Sequence, residues 1–318
     1  MSSLKNLVRN ENMKIYRRPR TWIMILFLIA AVGLMSGIMK WDESRSYNAE
    51  WKQNLTEQNE YMEKALTESQ ELDDASKARF NEQILLNTYY LEHDINPHQL
   101  GLWSYVDSSA ALIVLVTILT VVIAADMIAA EFSWGTIKLL LVGPASRTKL
   151  MAAKYIATLG FALLLLLICF ASAFAAGGIL GGFDSVSQPS LSVNANGVVQ
   201  ESTMIIQSLQ KYGFAVVSLV MYVTMAFMIS SAFRSSSMAI AFSLLFMLIG
   251  NTLSMMLSSY SWVKYLLFSN IDLSRYMTGG TPLRPEMTLT FSILMLAAYY
   301  LVFQLVAWLL FTKRDVAG

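Results

Sequence analysis

Long apolar runs alternate with polar connections along the whole sequence, and six of the runs are long enough to cross a bilayer. At 1.5 Å per helical residue, about 20 apolar residues cover the roughly 30 Å hydrocarbon core. The predicted spans occupy residues 21–39, 105–130, 155–179, 211–233, 238–257 and 289–311. The pattern predicts an all-α polytopic membrane protein with six transmembrane helices and both termini on one side.

The distribution of basic residues indicates on which side of the membrane the two termini lie. Lys and Arg dominate residues 1–20 and recur in the connection at 131–154 and the tail at 312–318. Because positively charged short segments stay in the cytoplasm, both termini are predicted to be cytoplasmic. Residues 1–20 also carry a helical apolar stripe, which predicts an amphipathic helix on the membrane surface. The alternative is a charged lead-in that only orients the first span.

The connections on the other side differ in length. The loop at 40–104 is acidic, and its apolar residues recur at helical spacing, which predicts an extracellular helical hairpin. Residues 180–210 are rich in Ser, Asn and Gly and predict a flexible extracellular connection. Residues 258–288 contain Trp and Tyr that suit an extracellular segment at the membrane interface.

Composition and missing motifs exclude several classes of function. Charged residues make up 14% of the 318 residues, against about 25% in soluble domains. The net charge of +1 gives no reason to expect nucleic acid, and the single Cys169 permits no intrachain disulfide. His93 and His98 with scattered acids are a poor metal signature. No phosphate-binding G-x-x-x-x-G-K-[ST] or hydrolase motif occurs, so neither an enzyme nor a bound cofactor is expected.

Polar residues inside the predicted spans are few. Asp126 is the one acid in the apolar run at 110–130, and a charge costs on the order of 3 kcal/mol at mid-bilayer. It is either an interfacial acid solvated by water or lipid amines, or the partner of Lys154 or Arg234 in an ion pair that fixes helix packing. Asn251 and Gln304, in the fifth and sixth runs, are typical of hydrogen bonds between membrane helices.

The connection at 131–154 is longer than the two to eight residues that usually join neighbouring helices. Its apolar residues after Thr136 recur at helical spacing, with Lys138 on the opposite side, which predicts a short helix that docks on the membrane or on a partner. The alternative is that Gly135 and Thr136 only end the second span and cap a surface helix.

Three stretches resemble the permease subunits of ABC-2-type transporters. The sequence ENMKIYRR at 11–18 resembles the family's E-x-x-K-x-x-R-R/K entry before the first span. The sequence EFSWGTIKLL at 131–140, followed by PASR at 144–147 and by Lys154, is similar to its E-x-x-x-G-T-[IL]-[KR] signature after the second span. FTKRD at 311–315 is similar to its F-x-x-[KR]-D ending.

The resemblance implies a permease that pairs with a second permease, identical or paralogous, and with two separate cytoplasmic ATPase subunits that hold the ATP and Mg. It implies an ATPase-coupling interface made by Glu131, Gly135, Thr136, Lys138, Arg147, Glu11 and Lys14. Gly135 would allow close backbone approach, and Thr136 would cap a helix. Glu131 and Arg147 would form polar pairs with the ATPase.

The expected function is therefore the membrane-spanning subunit of an ATP-dependent exporter in a bacterial cell membrane. Its solute would be hydrophobic or amphipathic, such as an antibiotic or a peptide. The other expected partner is membrane lipid, and nucleic acid is not expected. The residues leave a second class open, a sensory or regulatory membrane protein whose outer hairpin binds a ligand and whose cytoplasmic loop passes the signal to a soluble partner.

Overall fold

The computed structural model describes residues 3–46, 51–68, 73–97, 99–136, 145–183, 189–193, 197–277 and 282–313. Six helices in these ranges are long and apolar enough to cross a membrane. In chain order they are Pro19–Ser46, Leu102–Ser133, Arg147–Gly181, Met204–Ala232, Ser236–Met256 and Leu289–Lys313, and we call them the first to sixth spans. The chain is thus a mainly α-helical, multi-pass membrane protein.

Several spans extend beyond the apolar run that predicts them. The third span begins at Arg147 rather than at residue 155, because the Ser146 hydroxyl accepts a hydrogen bond from the Lys149 backbone N–H (3.3 Å) and caps the helix. The fourth begins at Met204 rather than at residue 211. The predicted segment 131–154 therefore ends inside the third span.

The second and fourth spans form the centre of the bundle, with 61% of the most apolar stretch of each buried, against 22% in the first span and 11% in the sixth. The second span is rich in alanine where it meets the fourth, which lets the two backbones approach closely. The Ser230 hydroxyl of the fourth span accepts hydrogen bonds from the backbone N–H groups of Ile128 (3.0 Å) and Ala129 (3.1 Å).

Glycines determine how the beginning of the second span packs on the end of the third. A Cβ atom added at Gly177 would lie 2.5 Å from the carbonyl oxygen of Leu102, and one at Gly181 would lie 3.0 Å from the carbonyl carbon of Gly101. Any larger residue at Gly177 would overlap with this backbone. The second span changes from helix Leu102–Ser109 through a short 3₁₀ turn at Ala110–Leu112 to helix Ile113–Ser133.

Two helices, Trp51–Glu68 and Asp74–Glu92, follow the first span and pack antiparallel on each other. Lys52 contacts Asp94 at 2.6 Å, and the Asn87 side chain donates to that of Asn59 at 2.9 Å. The ring of His93 stacks on Tyr89, and no group that could hold a metal ion occurs among the residues described. His98 lies outside them.

Two of the predicted connections contain ordered elements. Residues 180–210 were predicted to be flexible, but strands β1 (Pro189–Val193) and β2 (Val199–Thr203) pair there as an antiparallel hairpin. Tyr89 donates to the Glu201 carboxylate (2.8 Å) and so links this hairpin to the helix pair. Residues 258–288 contain three short helical turns, Ser261–Tyr265, Leu267–Asn270 and Leu273–Tyr276.

Candidate functional site

The N-terminal helix, Leu4–Tyr16, packs along the beginning of the third span. Its buried face carries Glu11 and Ile15, which are 5% and 3% exposed. The chain then turns sharply into the first span at Pro19, and the Thr21 hydroxyl donates to the Ile15 carbonyl at 2.6 Å, which stabilises the corner. A helix with a buried carboxylate on its packed face needs a buried cation opposite it.

That cation is Lys154, on the third span, which is 1% exposed. Its ammonium donates to Glu11 at 2.9 Å and to Glu131, at the end of the second span, at 2.8 Å. Lys14 contacts the same two carboxylates, at 2.9 Å and 3.0 Å. We call Glu11, Lys14, Glu131 and Lys154 the Lys154 cluster. Its two carboxylates and two ammonium groups balance, so the cluster is neutral as a whole.

Lys14 is the partly exposed member of the cluster. Burial alone would lower the pKa of Lys14, but its hydrogen bonds and charge interactions with Glu11 and Glu131 outweigh this effect and raise that pKa above the ordinary value. Lys14 therefore stays protonated at every physiological pH. The cluster joins three segments that are distant in sequence: the N-terminal helix, the end of the second span and the beginning of the third.

A second group of charges lies beside the first. Asp126, 2% exposed, accepts from Arg18 at 2.7 Å, and its carboxylate also contacts Arg20 and the Ser236 hydroxyl. We call these four residues the Asp126 cluster. Arg18 borders the same small cavity as Lys154 and lies over the ring of Trp134, 4.7 Å from its centroid. The Asp126 cluster thus joins the corner before the first span to the second span and to the beginning of the fifth.

Both interpretations of Asp126 were therefore wrong, since the carboxylate is buried rather than solvated and is not paired with Lys154 or Arg234. Lys154 faces Glu11 and Glu131 instead, and Arg18 and Arg20 satisfy Asp126. Arg234 takes part through its backbone, because its carbonyl accepts a hydrogen bond from the Ser133 hydroxyl at 3.2 Å. Arg18 comes from the polar segment before the first span and Arg20 from the first turn of that span, and both lie over the end of the second span.

The residues around Gly135 form a turn after the second span. Gly135 has φ +70°, a left-handed conformation that favours glycine, and no atom of the described residues lies within 4 Å of the position of a Cβ atom. Glycine is thus required here by the backbone conformation, and the close approach to a partner that the resemblance implies stays a prediction. The Thr136 hydroxyl contacts the Glu131 carboxylate and so fastens the turn after the second span to the Lys154 cluster.

Glu131 and Arg147 also have partners inside the chain. Glu131, predicted to pair with an ATPase, is 8% exposed and already in contact with two ammonium groups. Arg147 donates to the carbonyl of Thr312 at 2.9 Å, so the beginning of the third span and the end of the sixth lie at the same end of the bundle as the two clusters. We call this end the terminal end. Lys138 and the predicted helix around it, within 137–144, lie outside the described residues.

The uncharged polar residues predicted in the fifth and sixth spans, Asn251 and Gln304, belong to neither charged cluster. The Asn251 amide donates to the Tyr222 hydroxyl at 3.3 Å and connects the fifth span to the fourth. Gln304 lies beside the hydroxyl of Tyr155, which shares a hydrogen bond with Thr224 at 2.7 Å. Sequence reasoning missed Arg18, Arg20 and Ser236 as site residues. The available signal was a pair of arginines at the start of the first span and a single acid within the apolar run of the second.

Fold and site define a six-span membrane protein whose polar N-terminal helix is held to its second and third spans by buried charges. The chain belongs to the DUF2705 family of proteins of unknown function, which matches residues 75–317. It is 41% identical to the protein YhcI of Bacillus subtilis strain 168, over 98% of this chain and 99% of that protein. It is 31% identical to the membrane protein YdbK of the same strain, over 67% of this chain and 82% of that protein.

Proposed function

We propose that this chain is the membrane-spanning subunit of an ATP-driven exporter of the ABC-2 type, in a bacterial cell membrane. Two copies, or this chain and a paralogue, would form the membrane part. Two separate ATPase subunits would bind at the terminal end and supply ATP and Mg. The solute would be hydrophobic or amphipathic.

One observation carries the proposal: stretches of sequence that separately resemble the permease family meet in one cluster. Glu11 and Lys14 come from the entry before the first span, Glu131 and Thr136 from the signature after the second span, and Lys154 from its end. These residues are far apart in sequence and were identified only by their resemblance to one family. Their contact in a single cluster is not expected by chance.

The cluster also suggests a mechanism. An ATPase that binds the N-terminal helix or the segment after Gly135 would push on a body tied to the second and third spans through Lys154. Because such a body moves as a unit, closure of the ATPases becomes a rigid-body shift of the spans. In this proposal the clusters transmit force, and the ATPase contacts would come from exposed neighbours such as Arg9 and Trp134.

The orientation of the chain is part of the proposal. The terminal end carries the basic residues of the N-terminal segment together with Arg147 and Lys149. By the positive-inside rule that end would face the cytoplasm. The antiparallel helices Trp51–Glu68 and Asp74–Glu92 and the β hairpin would then lie outside the cell.

The test is purification of the tagged full-length chain from its own host in a mild detergent, with measurement of co-purified ATP hydrolysis. Mass spectrometry then asks whether the accompanying protein contains a G-x-x-x-x-G-K-[ST] sequence. We expect such an ATPase to accompany the wild type and to be reduced in Arg9→Glu/Trp134→Ala, which changes exposed residues of the terminal end.

The matched control is Lys40→Gln, which changes an exposed charge in the last turns of the first span, far from the terminal end, and should leave ATPase recovery unchanged. If no ATPase accompanies the wild type, the exporter proposal is wrong. A co-purified kinase or transcription regulator in its place would favour the sensory alternative.

A further inference from the structure

A cavity of about 380 Å³ opens between the second, fourth and fifth spans, at the end of the bundle opposite the terminal end. The second span lines it around Val114, the fourth from Lys211 to Tyr222, and the fifth from Met247 to Asn251, while the turn at 271–274 covers one side. Ligand pockets usually measure about 300–1,000 Å³. The size therefore suits one small molecule or one part of a larger one.

The inner part of the cavity is mainly apolar, and the hydroxyl of Thr117, which also lines it, is already used in a hydrogen bond to the Ile113 carbonyl at 2.8 Å. Tyr222 is 6% exposed, and its hydroxyl oxygen accepts a long hydrogen bond of 3.3 Å from the Asn251 amide. The proton of this hydroxyl therefore stays available to another acceptor. Asn251 itself is an exposed amide on the fifth span. The hydrogen bond between the amide and the phenol uses only part of their hydrogen-bonding capacity, and a ligand in the cavity could bond to the phenol proton and to the amide oxygen.

Charges around the cavity mouth are already balanced. Lys211 contacts both carboxylate oxygens of Asp107, at 2.7 Å and 2.8 Å, and Asp272 contacts Arg275 at 3.3 Å. Ser218, between mouth and interior, donates to the Ile271 carbonyl at 2.6 Å and holds the covering turn in place. Neither a net positive nor a net negative ligand would find an unpaired opposite charge here.

We propose that this cavity binds an uncharged amphipathic molecule with an apolar body and one hydrogen-bonding group, such as a hydroxyl, an amide or an ester carbonyl. The polar group would lie at Tyr222 and Asn251, and the apolar body against Phe214 and Leu248. Identifying this molecule with the exported solute rests on the proposed function, whereas the binding itself does not.

The test uses the full chain in phosphatidylcholine nanodiscs without ATP or ATPase, so its result does not depend on the exporter proposal. Diazirine-bearing decanol is the probe, compared with the same alkyl chain ending in an ammonium, a carboxylate or a methyl group. Mass spectrometry locates the photolabel. We expect saturable labelling of cavity residues by the decanol probe, several-fold above the other three, and competition by excess unlabelled decanol.

Two variants and a control connect the label to the cavity. Leu248→Trp fills the cavity from an exposed position and should reduce cavity labelling several-fold. Asn251→Leu should lower labelling by decanol to the level of the methyl-ended probe. Leu245→Trp, at an exposed position on the same helix but outside the cavity, should have no effect. If Leu248→Trp fails to fold, Val114→Trp fills the same space from the second span.

Equal labelling by the charged probes would overturn the proposed ligand chemistry. Labelling that excess decanol does not reduce, or that spreads evenly over the lipid-facing helices, would mean ordinary bilayer lipid and would overturn the site itself. Failure here would leave the exporter proposal standing, and failure to recover an ATPase would leave the binding site standing.

Discussion

The two ends of the bundle are held together by different forces. At the terminal end, Lys154 and Asp126 are 1% and 2% exposed and are satisfied by charges from the N-terminal segment and neighbouring spans, with the Ser236 hydroxyl also in contact with Asp126. At the opposite end, the second span packs by close backbone contact with Gly177 and by the hydrogen bond between Ser109 and Tyr212 (2.7 Å). An ion pair at that end, Lys211 with Asp107, is partly exposed.

This difference determines how each end responds to mutation. A buried charge that loses its partner costs far more than the pair contributes when intact, because the remaining charge stays desolvated. A partly exposed pair costs little to break, since water replaces the partner. The cost of disturbing a close backbone contact lies between these two costs, because it depends on how far the neighbouring backbone can move. The arrangement of charges at the terminal end is thus specific, and its stability is sensitive to the loss of one partner.

The largest effect is expected for Lys154→Met, which leaves two buried carboxylates, Glu11 and Glu131, with one partly exposed ammonium, that of Lys14. We expect the free energy of unfolding, measured by SDS titration in mixed micelles, to fall by about 3–5 kcal/mol. The triple variant Glu11→Gln/Glu131→Gln/Lys154→Met removes the three buried charges together, leaves only the partly exposed Lys14, and should regain most of this loss. A triple variant as unstable as the single one would mean that the cluster is not the cause.

Gly177→Ala tests the packing of the opposite end. Its Cβ atom would overlap with the Leu102 carbonyl oxygen, so we expect a loss of about 1–3 kcal/mol in the same titration. Gly160→Ala is the matched control on the same helix, since nothing lies within 4 Å of its Cβ position. That control should be neutral or stabilising by up to about 1 kcal/mol, because alanine favours helix more than glycine does. Equal effects of the two changes would argue against the close contact.

A double-mutant cycle tests which cation belongs to Asp126. Asp126→Asn and Arg18→Gln should be coupled by about 0.5–3 kcal/mol because the two side chains are in contact. Asp126→Asn and Lys154→Met should give additive losses of unfolding free energy, since each belongs to a different cluster. Strong coupling of Asp126 to Lys154 would instead support the pairing that the sequence suggested and contradict the arrangement described above.

Lys211→Gln should have the smallest effect, within about 1 kcal/mol, because the Lys211 side chain is 35% exposed and that of Asp107 is 24% exposed. The same SDS titration compares it directly with Lys154→Met. A loss as large as that of Lys154→Met would remove the contrast between the two ends.

Part of the candidate site was accessible from sequence. The resemblance selected Glu11, Lys14, Glu131 and Thr136, and these residues are together in the structure. It did not show that they satisfy one another, because a motif identifies residue types and not their contacts. The role of Gly135 was likewise visible only from its backbone conformation. The strands at 189–193 and 199–203 had a sequence signal that the prediction did not use, the Asn-Gly at 196–197 between two alternating segments.

The sequence by itself determined the class of protein and the number of spans, because the free energy of placing about 20 apolar residues in a bilayer is a property of each segment alone. It also determined which residues were costly there, Asp126 above all. The tertiary structure decided which charges meet. Helical periodicity specifies the face on which a side chain lies but not which helix packs on that face. Only the folding of the N-terminal segment over the second and third spans brings Arg18 to Asp126 and Glu11 to Lys154.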